Sequence, residues 1–253
     1  MDIKITMVKY KHSGLYFSDL LDGLSGVVHG FSGRNFGDMR FSGNRKKLLK
    51  LFKLERRRAV VLVQTHGDSI AEIASDDLSL KQLRSDGLLY NSGVQLRNIP
   101  VLCLKTADCA PVLLADPQRM IIAAVHAGWR GSLSGIAGKA VGMMISCGSK
   151  AEDIRVAIGP HIRSCCYSVP DERAEHFMDK YPEHAEIVIN RKKRWYIDIG
   201  NAIINDISQR GIMDENIDKS VICTSCNSDK FYSFRKDNPN ISGMNFHFIS
   251  LSE

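Results

Sequence analysis

The chain has 253 residues, 44% of them apolar and 25% charged. That is enough for one large domain or two small ones with a sizeable core, and it excludes a disordered or fibrous polymer. The formal charge of +6 is local. Arg45 to Arg58 holds eight basic residues and one acid, Glu55, whereas elsewhere 26 basic residues face 27 acidic ones.

In chain order, Met1 to Ile5 is charged from the start and lacks the apolar core of a signal peptide. No apolar run approaches the roughly 18 to 20 residues that span a bilayer. With seven irregularly spaced cysteines, an odd number, the expectation is a cytoplasmic protein with free thiols and no membrane partner. Asn44 precedes Arg45–Leu54, where Leu48, Leu51, Phe52 and Glu55 keep a 3.6-residue period. This predicts an Asn-capped amphipathic helix with its lysines in solvent. The stretch lacks interleaved exposed aromatics, so a solvated face is favoured over a nucleic-acid partner.

Short apolar runs at 59–63, 99–104, 111–115 and 120–125 have the length of buried strands. A helix follows the Gly128-Trp129-Arg130-Gly131 turn, with Ile136, Ala137, Ala140, Val141, Met144 and Ile145 as its buried face. A second runs from Asp198, as N-cap, to Arg210, with Gly211 as its stop. Further strands are predicted at 155–158, 186–189, 195–197, 221–223 and 245–251. Strands occur both in succession and between helices, which predicts an α/β fold with a mixed sheet covered by helices, and no Pro/Gly/Ser linker divides residues 1–253.

His66 and His126 each follow a strand-like run, and Cys109 sits in the turn between two others. Strand ends converge on one sheet edge, so two imidazoles and one thiolate there would hold Zn²⁺ with a fourth position vacant. Simple packing of each residue beside the core is the competing reading. The turn after His126 is either a phosphate seat, with Arg130 beside a helix N-terminus, or an ordinary strand-to-helix turn. Asp86 is either a turn residue or a polar substrate contact. Cys223-Thr224-Ser225-Cys226 has the spacing of a zinc half-site or redox pair. There is no second CxxC, and Cys165-Cys166 is vicinal, which argues against a Cys₄ centre; Cys103, Cys147, Cys165 and Cys226 are expected to be packing.

Several blocks together carry a resemblance: His29-Gly30-Phe31-Ser32-Gly33-Arg34, Gln64-Thr65-His66-Gly67, Asp86-Gly87-Leu88 and Thr106-Ala107-Asp108-Cys109-Ala110-Pro111-Val112. Next come Val125-His126-Ala127-Gly128-Trp129-Arg130-Gly131, Gly159-Pro160-His161-Ile162 with Cys166-Tyr167, and Cys223-Thr224 with Phe231-Tyr232-Ser233-Phe234-Arg235. With these the chain resembles the YfiH-type laccase-domain family, purine nucleoside enzymes once labelled multicopper polyphenol oxidases. The resemblance implies a single α/β domain with zinc on His66, Cys109 and His126. It implies phosphorolysis of adenosine, inosine and methylthioadenosine, with hydrolytic deamination of adenosine to inosine. Arg34 and Arg130 become candidates for phosphate or ribose contacts, and Gln64 and Asp86 for polar groups of the pocket. One departure stands out: the family's last motif ends Thr-Gly-Arg, where this chain has Ser242-Gly243-Met244.

Two rivals are weighed. A multicopper oxidase needs many histidines in His-X-His pairs, but the chain has eight, no two within three positions of each other, so copper is the lesser expectation. A thiol hydrolase or deamidase would use Cys109 as nucleophile and His126 as base.

Overall fold

The computed structural model describes residues 9–12, 14–76, 83–237 and 243–252. Among them the chain forms β1 (Lys9–His12), β2 (Leu15–Phe17), α1 (Asp19–Asp22), β3 (Val27–Ser32) and α2 (Ser42–Lys50). Next come β4 (Ala59–Val61), β5 (Ile70–Glu72), β6 (Gly87–Asn91), β7 (Val101–Thr106), β8 (Ala110–Asp116) and β9 (Ile121–Ala127). Helices α3 (Trp129–Leu133) and α4 (Ile136–Ser146) lead to β10 (Arg155–Ile158), β11 (Ser168–Val169), α5 (Asp171–Lys180), β12 (Val188–Arg191) and β13 (Arg194–Ile197). Last are α6 (Ile199–Ser208), β14 (Ile217–Lys219), α7 (Phe234–Asp237) and β15 (Asn245–Leu251).

Two six-stranded mixed sheets, in the orders β1-β2-β3-β15-β7-β4 and β14-β10-β8-β9-β6-β5, form the centre, with β11-β13-β12 as a small third sheet. Alternation along the strands fixes the layering. In β7, Leu102 and Leu104 join Leu113, Ala115, Ile122 and Ala124 of β8 and β9 in a core between the large sheets. The opposite face of β7, Val101 and Cys103, packs with Leu48 and Leu49 of α2. Val112, Leu114, Ala123 and Val125 instead meet Ile136, Ala140 and Ile203 of α4 and α6. The order of layers is therefore α2, sheet, sheet, then α4 with α6. Strands covered on both faces read as unbroken apolar runs, which is why the sequence shows them so clearly.

The strands at 155–158 and 245–251 lie where the sequence predicts them. Asp198 caps α6 by accepting from the Asn201 amide at 2.9 Å. Other expectations are corrected. Helix α2 starts at Ser42 and ends at Lys50, with no side-chain cap. Asn44 lies inside it, donating its amide to the Asp38 carbonyl at 2.9 Å. The chain leaves the helix before Lys53, whose φ is 58°, and so Leu51 is exposed. Ile145 is likewise exposed rather than buried. Residues 221–223 form no strand, because the edge strand of that sheet is β14 and the chain then only bridges His161 through Cys223. Met1–Ile5 and Ser242 lie outside the described residues.

Candidate active site

Antiparallel pairing of β8 with β9 puts the start of one beside the end of the other, with Pro111 opposite His126. Cys109 immediately precedes β8, so it meets His126 at this edge. Strand β6 pairs on the other side of β9, with Gly87 opposite Val125. Asp86 therefore sits next to His126, whose backbone N–H donates to the Asp86 carbonyl at 2.7 Å. The segment after β4 crosses to the same place through a bridge between Val63 and Arg84, which carries His66 in.

The three predicted residues converge. One ligand atom from each of His66, Cys109 and His126 lies within 4.8 Å of the others. The imidazole centroids are 4.8 Å apart, edge to face. His126 is buried and His66 exposed, so the group opens on one side. Burial pushes the Cys109 thiol up, but the charge and hydrogen bonds of His126, then of His66, bring it down to about 6. Burial pulls His126 down, yet Cys109 and Asp86 reverse this and raise it to about 9.

Asp86, weighed between turn residue and pocket group, lies beneath the cleft lining and anchors the cluster. It is fully buried, and its two oxygens accept five hydrogen bonds. Oδ1 takes His126 Nδ1 at 2.8 Å and the His66 amide at 2.9 Å. Oδ2 takes the Thr65 hydroxyl and the Gly67 amide, each at 2.7 Å, and the Thr65 amide at 3.2 Å. Burial opposes its ionisation, but the bonds from His126, Thr65 and Gly67 outweigh it and hold the carboxyl below the usual range. One carboxylate thus fixes the ring of one histidine and the backbone of the other. The His66 backbone needs this support, since its φ is 60°. Asp108, at φ 90°, is held by Thr224 Oγ1 at 2.6 Å and the Arg235 amide at 2.7 Å, which pins the turn carrying Cys109.

The predicted turn after His126 is itself the start of α3, with Gly128 as its N-cap, and both of its glycines are tightly packed. A Cβ on Gly128 would stand 3.3 Å from the Cys109 sulfur, and one on Gly131 only 2.7 Å from the Gly67 carbonyl oxygen. The donor set fits a metal ion such as Zn²⁺: two imidazoles, one thiol of low pKa and an open side. Asp86 on His126 Nδ1 leaves Nε2 to face the sulfur, the arrangement that orients a ligating histidine.

The cluster lines a cleft of about 760 Å³, within the range of small-molecule sites. Its walls carry the cations Lys105, Arg173 and Arg235 and the aromatics Trp129, Tyr167 and Phe234. Arg173 stacks over Trp129 at 4.3 Å, and Arg235 over Tyr167 at 5.4 Å. Burial pushes the Lys105 ammonium down and the Tyr167 hydroxyl up. Gln64 also lines the cleft, but its amide bridges the Lys105 backbone, donating at 2.8 Å and accepting at 3.0 Å.

Arg34 and Arg130 do not belong to these walls. The Arg34 guanidinium pairs with Asp237 at 2.5 Å and donates to the Phe231 carbonyl, and Arg130 is exposed with its guanidinium over Trp129. Sequence reasoning missed Arg173 and Arg235 as cleft cations. The signal for Arg173 was present: Pro170, Asp171 and Glu172 open α5, and Ala174 and Phe177 form its buried stripe. Met244, where the resemblance implies an Arg, lines the cleft.

The fold and site define an α/β domain with a three-donor, metal-competent cluster in a cleft lined by cations and aromatics. The chain belongs to the multi-copper polyphenol oxidoreductase laccase family, whose model matches residues 33–252. It is 30% identical over 251 residues to a purine nucleoside phosphorylase of Clostridium acetobutylicum, covering 97% of this chain and 96% of that one. It is 36% identical over 173 residues to human purine nucleoside phosphorylase LACC1, covering 66% of this chain but 38% of that protein, so the match spans well under half the human relative. The crystal structure of Bacillus licheniformis hypothetical protein YfiH superposes with a TM-score of 0.83 at 27% identity, over 96% of this chain and 98% of that one.

Proposed function

We propose that residues 1–253 act as one zinc-dependent purine nucleoside enzyme of the cytoplasm. It cleaves adenosine, inosine and methylthioadenosine with phosphate, giving the base and ribose 1-phosphate, and it deaminates adenosine to inosine. The observation that carries this reading is the convergence of His66, Cys109 and His126 at the wall of a cleft lined by cations and aromatics. The purine nucleoside phosphorylase names of its relatives support the substrate class. Bound by His66, Cys109 and His126, zinc supplies Lewis acidity and activates water near neutral pH. Copper is disfavoured, because only two histidines approach one another within a candidate cluster among the described residues.

The chain's own residues supply the rest. Asp86 holds His126 in the tautomer that directs Nε2 to the cluster. Lys105, Arg173 and Arg235 give the cleft the positive charge that attracts phosphate, Arg235 from a guanidinium held by Cys166 and Ser168, and Phe234 offers a ring face to the purine. Arg34, Arg130 and Gln64 support the walls rather than touch phosphate. The basic stretch reads as structural: Arg45 donates to the Met39 and Arg40 carbonyls and Arg57 to the Leu251 carbonyl, with no need of nucleic acid. The seven unpaired cysteines suit a reducing cytoplasm, and among the described residues no helix is long and apolar enough to cross a membrane.

A thiol hydrolase is the second reading, favoured by one observation: the Cys109 sulfur stands beside the His126 imidazole, which draws the thiol down while the thiol raises the imidazole. The test is product chromatography on adenosine and inosine, each with and without phosphate. Hypoxanthine should leave inosine only with phosphate, and adenosine should give inosine without it. Zinc-replete protein that turns over neither nucleoside contradicts the proposal.

A further inference from the structure

The parallel strands β10 and β14 end at the same edge of their sheet, and a bridge between His161 and Cys223 extends their pairing. The loops that follow therefore leave side by side. One brings Cys165 and Cys166, the other Cys223 and Cys226, although the sequence spacing argued against their meeting. Their four sulfurs lie within 4.8 Å of one another. Cys226 is 3.5 Å from Cys165 and 3.3 Å from Cys166, sulfur to sulfur. Four thiolates around zinc at about 2.3 Å stand roughly 3.8 Å apart, so the group needs only small side-chain shifts to enclose the ion.

The surroundings suit an ion with four thiolate ligands. The backbone amide of Arg163 donates to the Cys223 sulfur at 3.5 Å, the kind of outer hydrogen bond that orients a ligand. Three guanidinium groups border the two loops: Arg191 on the Ser164 carbonyl at 3.0 Å, Arg235 on Cys166 at 3.2 Å and Arg163 on Val221 at 2.9 Å. They complement the net double negative charge that four thiolates leave around Zn²⁺. Cys165 and Cys226 face solvent, so burial in a core does not account for their meeting.

We infer that Cys165, Cys166, Cys223 and Cys226 form a second metal centre, a closed Cys₄ site for one Zn²⁺, apart from the His66–Cys109–His126 cluster. With all four positions filled by protein the site is structural. It fastens the loop that brings Ile162 and Tyr167 to the cleft to the loop that carries Thr224. Tyr167 follows Cys166, and Thr224, between the other cysteines, holds Asp108 and with it the turn of Cys109.

The test is zinc content in the full chain purified reduced, without added metal. We expect about two zinc ions per chain in the wild type, and about one in Cys226→Ser and in His126→Ala, lost from different sites. Equal zinc in the wild type and Cys226→Ser overturns the inference. Failure of His126→Ala to lose zinc counts only against the three-donor site. A second measurement needs no variant at this cluster: His126→Ala loaded with Co²⁺ should show the sulfur-to-metal charge transfer of four thiolates. In the native wild type, moreover, Cys165 and Cys226 should resist a thiol reagent until a chelator releases zinc. Immediate reaction, or thiols missing as disulfides with no zinc present, also overturns it.

Discussion

Asp86→Asn should weaken the three-donor site without changing its shape. The carboxylate accepts five donors, from Thr65, His66, Gly67 and His126. The amide of Asn presents one acceptor and one donor. If its oxygen serves His126 and the His66 amide, its NH₂ faces the Thr65 and Gly67 amides, and each stranded buried donor costs about 1–3 kcal/mol. The reverse orientation turns a donor toward His126 Nδ1 and selects the tautomer that blocks Nε2. Changes of this kind typically lower metal affinity 10–100-fold, or about 1.4–2.7 kcal/mol. Competition with a chromogenic chelator at neutral pH reads the affinity, and thermal unfolding of the metal-free protein reads the structural cost. Wild-type affinity together with wild-type melting in Asp86→Asn would refute the anchoring role.

Four further outcomes follow from the same geometry. Between about pH 6 and 9 the metal-free cluster holds Cys109 ionised and His126 protonated. Zinc must displace the His126 proton, so apparent affinity should rise about tenfold per pH unit in that window and level off above it; calorimetry in two buffers checks the proton release, and a pH-independent affinity contradicts it. In stability terms, raised His126 stabilises the metal-free fold below its ordinary 6.5, and this is lost as pH rises through about 9; depressed Cys109 stabilises it above its ordinary 9.0, and this is lost as pH falls through about 6. Arg235→Ala should raise the phosphate KM about tenfold or more, the worth of one charge-assisted hydrogen bond, whereas Arg34→Ala should lower the melting temperature and leave that KM alone. Neutralising Lys46, Lys47, Lys50 and Lys53 together should leave nucleoside turnover unchanged, and a large loss would show that this helix face serves the reaction.

Much of the central architecture was legible because β7, β8 and β9 are buried on both faces and their apolar runs are unmistakable. The positions of Cys109 and His126 at the ends of these strands were legible for the same reason, whereas His66 lies beyond the short edge strand β4 and reaches the site through the Val63–Arg84 bridge. The basic helix misled, since Asn44 looks like a cap in the sequence but spends its amide on Asp38. Asp86 was misweighed between turn and pocket because its five partners come from two segments about 20 and 40 residues away, and no local pattern carries that. The four-cysteine group joins positions 60 residues apart in Cys166 and Cys226, and only the parallel exit of β10 and β14 brings them together. Arg34 drew attention as a cation in a motif, whereas its partners Asp237 and Phe231 lie about 200 residues on.

The most direct test of the proposed chemistry compares one protein preparation in two states. Inosine and phosphate are supplied to the chain after exhaustive chelation, then again after one equivalent of zinc is restored, and hypoxanthine is followed in time. Zinc-dependent nucleoside cleavage predicts negligible release from the chelated protein and recovery on zinc addition, with no recovery in His126→Ala. Undiminished release from fully metal-free protein would contradict it and assign the reaction to the Cys109–His126 pair alone.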